Sequence, residues 1–174
     1  GMSGVRMEAE AHIITCADDM AKNLVKCIER CELQADQIIF SALASSYAVL
    51  TDDERELGVC VVDIGAGTMD IVIYTDGAIR YTAVVPLAGN QITSDIAKIF
   101  RTPISNAEEI KVNYACALKD MVSMEESIEV PSVGGRPARV MSRHTLAEVI
   151  EPRYQELFEL IHKEIKNSGL EEQI

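Results

Sequence analysis

Three strand-like runs, "GVCVVDIG", "TMDIVIYT" and "AIRYTAVVPL", follow one another between Gly58 and Leu87. The second and third are separated only by Asp76 and Gly77, a dipeptide suited to a tight type I′ hairpin turn. The segment therefore reads as an antiparallel meander, with a glycine-rich bend, "GAGT", at its first joint. After Gly89 and Asn90 comes "QITSDIAKIF", whose Ile92, Ile96 and Phe100 lie on one face of a short helix that can cover such a sheet.

Upstream, "VRMEAEAHIITC" alternates and ends in a short apolar run, which predicts a strand entering a core. A helix follows, capped by Asp18 or Asp19, with Met20, Ala21, Leu24, Val25, Ile28 and Cys31 at helical spacing. "DQIIFSAL" is a candidate buried strand, and "ASSYAVLTDDEREL" reads as a helix ending in a charged, exposed link. Downstream, Thr102 and Pro103 break the chain, and Ser105 with Glu108 forms a capping-box signature for the helix "NAEEIKVNYACAL". "SIEVPSVGGRPARVM" predicts a hairpin with Gly134 and Gly135 in its turn. Thr145 and Glu148 make a second capping box, and Pro152 either kinks that helix or begins a new one. Tyr154, Leu157, Phe158, Ile161 and Ile165 form the apolar stripe of the last helix. Strand, helix, strand, helix and then a meander is the order of an α/β layered fold.

A chain of 174 residues, nearly half apolar, can bury a substantial core. Its net charge of −12 argues against a nucleic-acid footprint, which needs a basic face. No run approaches the roughly 18 apolar residues of a membrane-spanning helix, and no basic start leads into a cleavable apolar segment, so neither targeting nor membrane insertion is expected. Gly1 before Met2 reads as a residue left by expression. Cys16, Cys27, Cys31, Cys60 and Cys116 are odd in number and lack zinc-type pairing, which predicts reduced core thiols of a cytosolic protein.

The chemistry concentrates in "VVDIGAGTMDIVIY", because glycines after a strand let backbone N–H groups approach phosphate oxygens. A P-loop would need a Lys after the glycines, and none follows. The dinucleotide fingerprint would need a third Gly where Asp70 stands, opening a helix, whereas "MDIVIY" alternates like a strand. Strand, tight turn, strand is a different grip. In it Gly65, Ala66, Gly67 and Thr68 wrap phosphates through backbone donors and the Thr68 hydroxyl. Asp63 orients a water of nucleotide-bound Mg²⁺, a cation that keeps much of its hydration, and Asp70 aligns water or metal. The plainer reading of the same residues is a hairpin with two turn acids.

These residues resemble the second phosphate-binding motif of the actin and sugar-kinase superfamily. With "HIITCADDMAKNLVKCIERC", "ASSYAVLTDDERELGVCVVDIGAGTMDIVIYTDGAIRYTAVVPLAGNQITSDIA" and "SIEVPSVGGRPARVMSRHTLAEVIEPRYQEL", the chain resembles the FtsA family of bacterial cell-division proteins along essentially its whole length. Several relatives carry Gly where this chain has Ala66, and a positive φ there would cost on the order of 1 kcal/mol. The resemblance implies an α/β, actin-like (ribonuclease H-like) core, here an internal part of it. Residues 1–57 would close the first half and supply the helix connecting the halves, which acts as a hinge. Residues 58–100 would form the second-half core, 101–143 its upper subdomain, and 144–174 the helices returning to that core. An N-terminal phosphate strand pair, a later adenosine-binding Gly-Gly loop, a membrane-binding C-terminal amphipathic helix and most of the family's inserted subdomain are expected outside this sequence.

The resemblance further implies ATP with Mg²⁺, and at most weak ATPase activity in the full-length protein, with no catalytic residue assigned here. Glu108 and Lys111 match an ExxK spacing that in related actin-fold proteins contacts adenosine and ribose, although the capping box competes for Glu108. The implied function is to link the FtsZ ring to the cytoplasmic face of the inner membrane by binding the FtsZ C-terminal peptide, to self-associate into filaments, and to recruit later divisome proteins. Arg136, Arg139 and Arg143 are candidates for that peptide, through charge-assisted hydrogen bonds, or else form a solvated hairpin and helix start. A type IV pilus assembly protein of the same actin-like group, binding a membrane-protein tail, is the alternative. A sugar kinase or a purely structural α/β domain are the more distant ones.

Overall fold

The computed structural model describes residues 4–9, 11–134 and 136–174. The expected features at Gly1, Met2 and Gly135 lie outside the described residues. At its centre is the meander: β1 (Val59–Ile64), β2 (Met69–Thr75) and β3 (Ala78–Val85) pair antiparallel in that order. Asp76 and Gly77 turn the second hairpin with φ of 52° and 70°, the left-handed pair that a type I′ turn requires. β2 is the middle strand and is covered on both faces, which is why it reads as a nearly continuous apolar run.

The alternation of β2 sorts its side chains between two helical layers. Val72 and Tyr74 pack with Ala42 of α2 (Ser41–Val49) on one face. Met69 and Ile71 join the main core on the other, with Ile92, Ile96 and Phe100 of α4 (Gly89–Phe100). The same core takes in Ala107 and Ile110 of α5 (Ile104–Tyr114) and Ile128 and Val130 of the hairpin strand β4 (Ser127–Val130). Leu146, Ile150, Leu157 and Ile161 of α6 (Arg143–Ser168) complete it. β5 (Arg139–Ser142) pairs antiparallel with β4. Pro152 sits inside α6 without ending it, so the two elements allowed by the sequence are one helix. Along the stripe predicted for it Leu157 and Ile161 are buried, Tyr154 and Ile165 are partly covered, and Phe158 is exposed, stacking on Tyr154 at 6.3 Å.

Other expectations are corrected. Residues 4–9 and 11–17 form no strand, and Val5, Met7 and Ile13 are exposed. An alternating pattern makes a ladder only where another strand supplies hydrogen-bond partners, and among the described residues none runs beside it. For the same reason "DQIIF" is extended but unpaired, with Ile38 and Ile39 exposed. The helix α1 (Asp18–Glu29) forms, yet its N-cap is Ala17, and Asp18 and Asp19 instead place charge in the first turn, where the helix dipole favours it. Its apolar face, including Met20 and Leu24, is uncovered. The thiols of Cys16, Cys27 and Cys31 are therefore exposed rather than in a core, while Cys60 and Cys116 are half-buried. Burial pushes the Cys60 thiol pKa up. The single helix predicted over 44–57 is two, α2 and α3 (Asp52–Leu57), because Leu50 and Thr51 are extended.

Neither predicted downstream capping box forms. α5 starts at Ile104 with Pro103 as its N-cap, which leaves Ser105 inside the helix. α6 starts at Arg143 with Ser142 as N-cap, its hydroxyl accepting from the His144 amide, which leaves Thr145 inside.

Candidate functional site

Ile64 pairs with Met69, so residues 65–68 form a short loop between β1 and β2. The Gly65 amide donates to the Thr68 carbonyl at 2.9 Å and closes it. A Cβ on Gly65 would stand 3.2 Å from that same oxygen, which explains the glycine by space. None of Gly65, Ala66 and Gly67 has a left-handed φ, so the methyl of Ala66 carries no backbone penalty.

The start of α4 holds the loop from behind. The Gly89 amide donates to Gly65 O at 3.1 Å and the Asn90 amide to Ala66 O at 2.7 Å. The carbonyls of Gly65, Ala66 and Thr68 are thus used, while the amides of Ala66 and Gly67 have no acceptor among the described residues and stand at an exposed tip. Unpaired, exposed backbone donors beside a glycine with nothing within 4 Å of its would-be Cβ form a cradle suited to phosphate oxygens.

Asp63 and Asp70 are directly opposed across β1 and β2 at the mouth of this loop. Each is hydrogen-bonded by a serine of α2: Ser45 Oγ donates to Asp63 Oδ2 at 2.6 Å, and Ser41 Oγ to Asp70 Oδ2 at 3.0 Å. Among the described residues no cluster of three or more metal-ligating side chains occurs. One or two carboxylates are the donor set of a hydrated Mg²⁺ carried in by phosphates, rather than of a protein-caged metal.

Glu108 and Lys111 are tied to the same loop through α4. Lys111 Nζ pairs with Glu108 Oε2 at 2.8 Å and donates to Thr93 Oγ1 at 2.9 Å and to Gly89 O at 3.4 Å. Thr93 in turn donates to Glu108 at 2.5 Å. The Lys111 and Thr93 hydrogen bonds hold the Glu108 carboxyl below its usual range. Gly89 is the joint between the two groups, and a Cβ there would lie 3.3 Å from Gly65 O and 3.5 Å from Lys111 Nζ.

The arginines separate. Arg136 and Arg139 line one surface pocket with Arg101, Ser132, Val133 and Pro137, and the Arg139 guanidinium also donates to Phe100 O. Arg143 lies beyond β5 instead, paired with Glu126 at 2.5 Å and donating to Tyr114 O at 2.8 Å. Arg101 is an addition from the structure: it ends α4 in the left-handed conformation with φ 49°. Ser41, Ser45, Thr93 and Gly89 were also not singled out by sequence. The four-residue spacing of Ser41 and Ser45 is the only signal they leave.

The fold recurs in solved structures. MreB5 of Spiroplasma citri bound to ADP superposes with a TM-score of 0.65 at 18% identity, covering 87% of this chain and 49% of that one. A PilM–PilN type IV pilus biogenesis complex gives 0.64 at 17% identity, over 86% and 37%. The meander, its covering helices and its loop therefore belong to the actin-like ATPase fold. Residues 60–172 match the family described as "Cell division protein FtsA". The FtsA of Escherichia coli K12 is 66% identical over 165 residues, 95% of this chain and 39% of that protein; the FtsA of Pseudomonas aeruginosa PAO1 is 59% identical over 174 residues, 100% and 42%. The chain belongs to the FtsA family of cell division proteins, and spans about two-fifths of the length of these curated relatives.

Proposed function

We propose that this chain carries the phosphate-gripping part of an ATP site in a cell-division protein that links the FtsZ ring to the cytoplasmic face of the inner membrane. The observation that carries the reading is the tip of the β1–β2 loop, where two unpaired amides are presented between opposed carboxylates and a lysine network. The ADP and AMPPNP forms of MreB5, which share the fold, are consistent with a nucleotide as the guest.

In this arrangement Ala66 and Gly67 donate to phosphate oxygens, the Thr68 hydroxyl adds a donor, and Asp63 and Asp70 orient water on the Mg²⁺ that accompanies the phosphates. The metal, when bound, neutralises phosphate charge. Lys111 and Glu108 would contact the nucleoside end. The protein would act by positioning rather than by covalent chemistry. Arg136 and Arg139 would receive the FtsZ C-terminal peptide. Self-association, recruitment of later divisome proteins and membrane contact through a C-terminal helix complete the role. Among the described residues no helix is long and apolar enough to cross a membrane.

Titration of the full-length protein with a fluorescent ATP analogue in Mg²⁺ tests the site. Saturable binding is expected, weakened about tenfold by Lys111→Ala, the scale of a lost hydrogen bond to a charged group. Absence of binding by the unsubstituted protein would refute it.

A further inference from the structure

The two cradle acids share a feature that neither the family match nor the motif accounts for: both are held by one helix. Asp63 and Asp70 are cross-strand partners, which places their Cβ atoms about 5 Å apart. Ser41 and Ser45 are four residues apart on α2, about 6 Å along a helix axis and on one face. The two spacings match, and each serine reaches one carboxylate.

The seating of α2 makes this pairing a fixed one. Ala42 and Ser46 form the neighbouring stripe, and both are fully buried against β2. Ser46 Oγ lies 2.7 Å from Tyr74 Oη and donates to Leu43 O at 2.7 Å, which pins the rotation of the helix about its axis. With that rotation set, Ser41 and Ser45 have one place to go. They take Oδ2 of each acid and leave Oδ1 of both without a hydrogen-bond partner among the described residues. A carboxylate rotates freely about its last torsion unless something holds it. A hydroxyl on one oxygen fixes the direction of the other, and it also eases the repulsion between two opposed negative charges.

We propose that Ser45, seconded by Ser41, is a positioning residue for the metal of the bound nucleotide, aiming the free oxygens of Asp63 and Asp70 at its water shell. The inference rests on the nucleotide reading above. Because both contacts come from one helix, a movement of α2 relative to the sheet alters both acids together, so metal affinity and the placement of α2 are coupled.

The test compares fluorescent ATP-analogue affinity of the full-length protein in Mg²⁺ and in EDTA. Ser45→Ala is expected to weaken binding about tenfold in Mg²⁺ and to leave binding in EDTA unchanged. Ser45→Thr, which keeps the hydroxyl, should stay within about twofold of the unsubstituted protein. Alanine suits a helix, so the variant should fold, and an unchanged melting temperature would verify that. Asp63→Asn is the reference and should remove most of the Mg²⁺ advantage. If it does so while Ser45→Ala behaves as the unsubstituted protein, the serine inference is overturned and the nucleotide site stands. If Ser45→Ala weakens binding equally in both buffers, or Ser45→Thr fails to rescue it, the serine serves the fold and the inference is likewise overturned. If Asp63→Asn itself binds like the unsubstituted protein, both fall.

Discussion

Lys111 satisfies three acceptors with one ammonium group, Glu108 among them. The Glu108 carboxyl is held low chiefly by the Lys111 hydrogen bond and next by that of Thr93. Its folded pKa lies below its unfolded one, so the stability it contributes is fully present above the ordinary carboxylate range and is lost as pH falls through the lowered value. Glu108→Gln should therefore reduce the melting temperature at pH 7 by a small amount, since the side chain is half exposed, and the two proteins should converge in acid. Melting curves from pH 7 down to about pH 3 check this; a gap that persists at the acid end would contradict it. The sequence shows Glu108 and Lys111 on one helix face by spacing alone. The attachment of Lys111 to Gly89, twenty-two positions away, has no local pattern and depends on the packing of α4 against α5.

Among the stretches in which a Ser or Thr is followed three residues later by Glu are these three: Thr51 to Glu54, Ser105 to Glu108, and Thr145 to Glu148. Only the first forms a capping box. The Thr51 hydroxyl accepts from the Glu54 amide at 3.3 Å, and the Glu54 carboxylate accepts from the Thr51 amide at 2.7 Å, which lowers the Glu54 pKa. The signature works where its first residue is extended. Pro103 takes that position before α5, and Ser142 takes it before α6, so helix is already under way when Ser105 and Thr145 are reached. Upstream hydrophobic periodicity hides the true box, because Leu50 looks like the continuation of α2. α3 then gives its last carbonyls to the meander: Arg55 O and Glu56 O accept from Gly77 and Asp76 at 3.1 and 3.2 Å. Thr51→Ala should cost about 1 kcal/mol, read as a lower urea midpoint with an unchanged slope. The period-two runs and the Asp-Gly turn made the meander legible, since both are local properties of the chain.

At the scale of the molecule, amphipathic faces were legible where a partner exists in the chain. The Ile92, Ile96 and Phe100 face meets β2 and α6, whereas the equally regular face of α1 buries no residue among those described. Periodicity announces a face without naming what covers it. Position also sorts the arginines: Arg136 and Arg139 share a pocket with Arg101, while Arg143 is engaged with Glu126. Charge reversal at Arg136 and Arg139 together should weaken binding of an FtsZ C-terminal peptide to the full-length protein at least tenfold at low salt. Reversal at Arg143 should instead lower the melting temperature. Fluorescence anisotropy with the labelled peptide separates the two, and unchanged affinity in the double variant would remove this pocket from the interface. Between that pocket and the meander runs α6, 26 residues and about 39 Å of helix. It begins at the β5 hairpin, is bolted to α4 by Arg153 and Asp95 at 2.7 Å, and ends beside β3, where Tyr81 donates to Glu164 at 2.8 Å. A pull applied at the hairpin would travel along this strut and load the sheet's edge in shear, spread over many contacts instead of peeling one strand at a time.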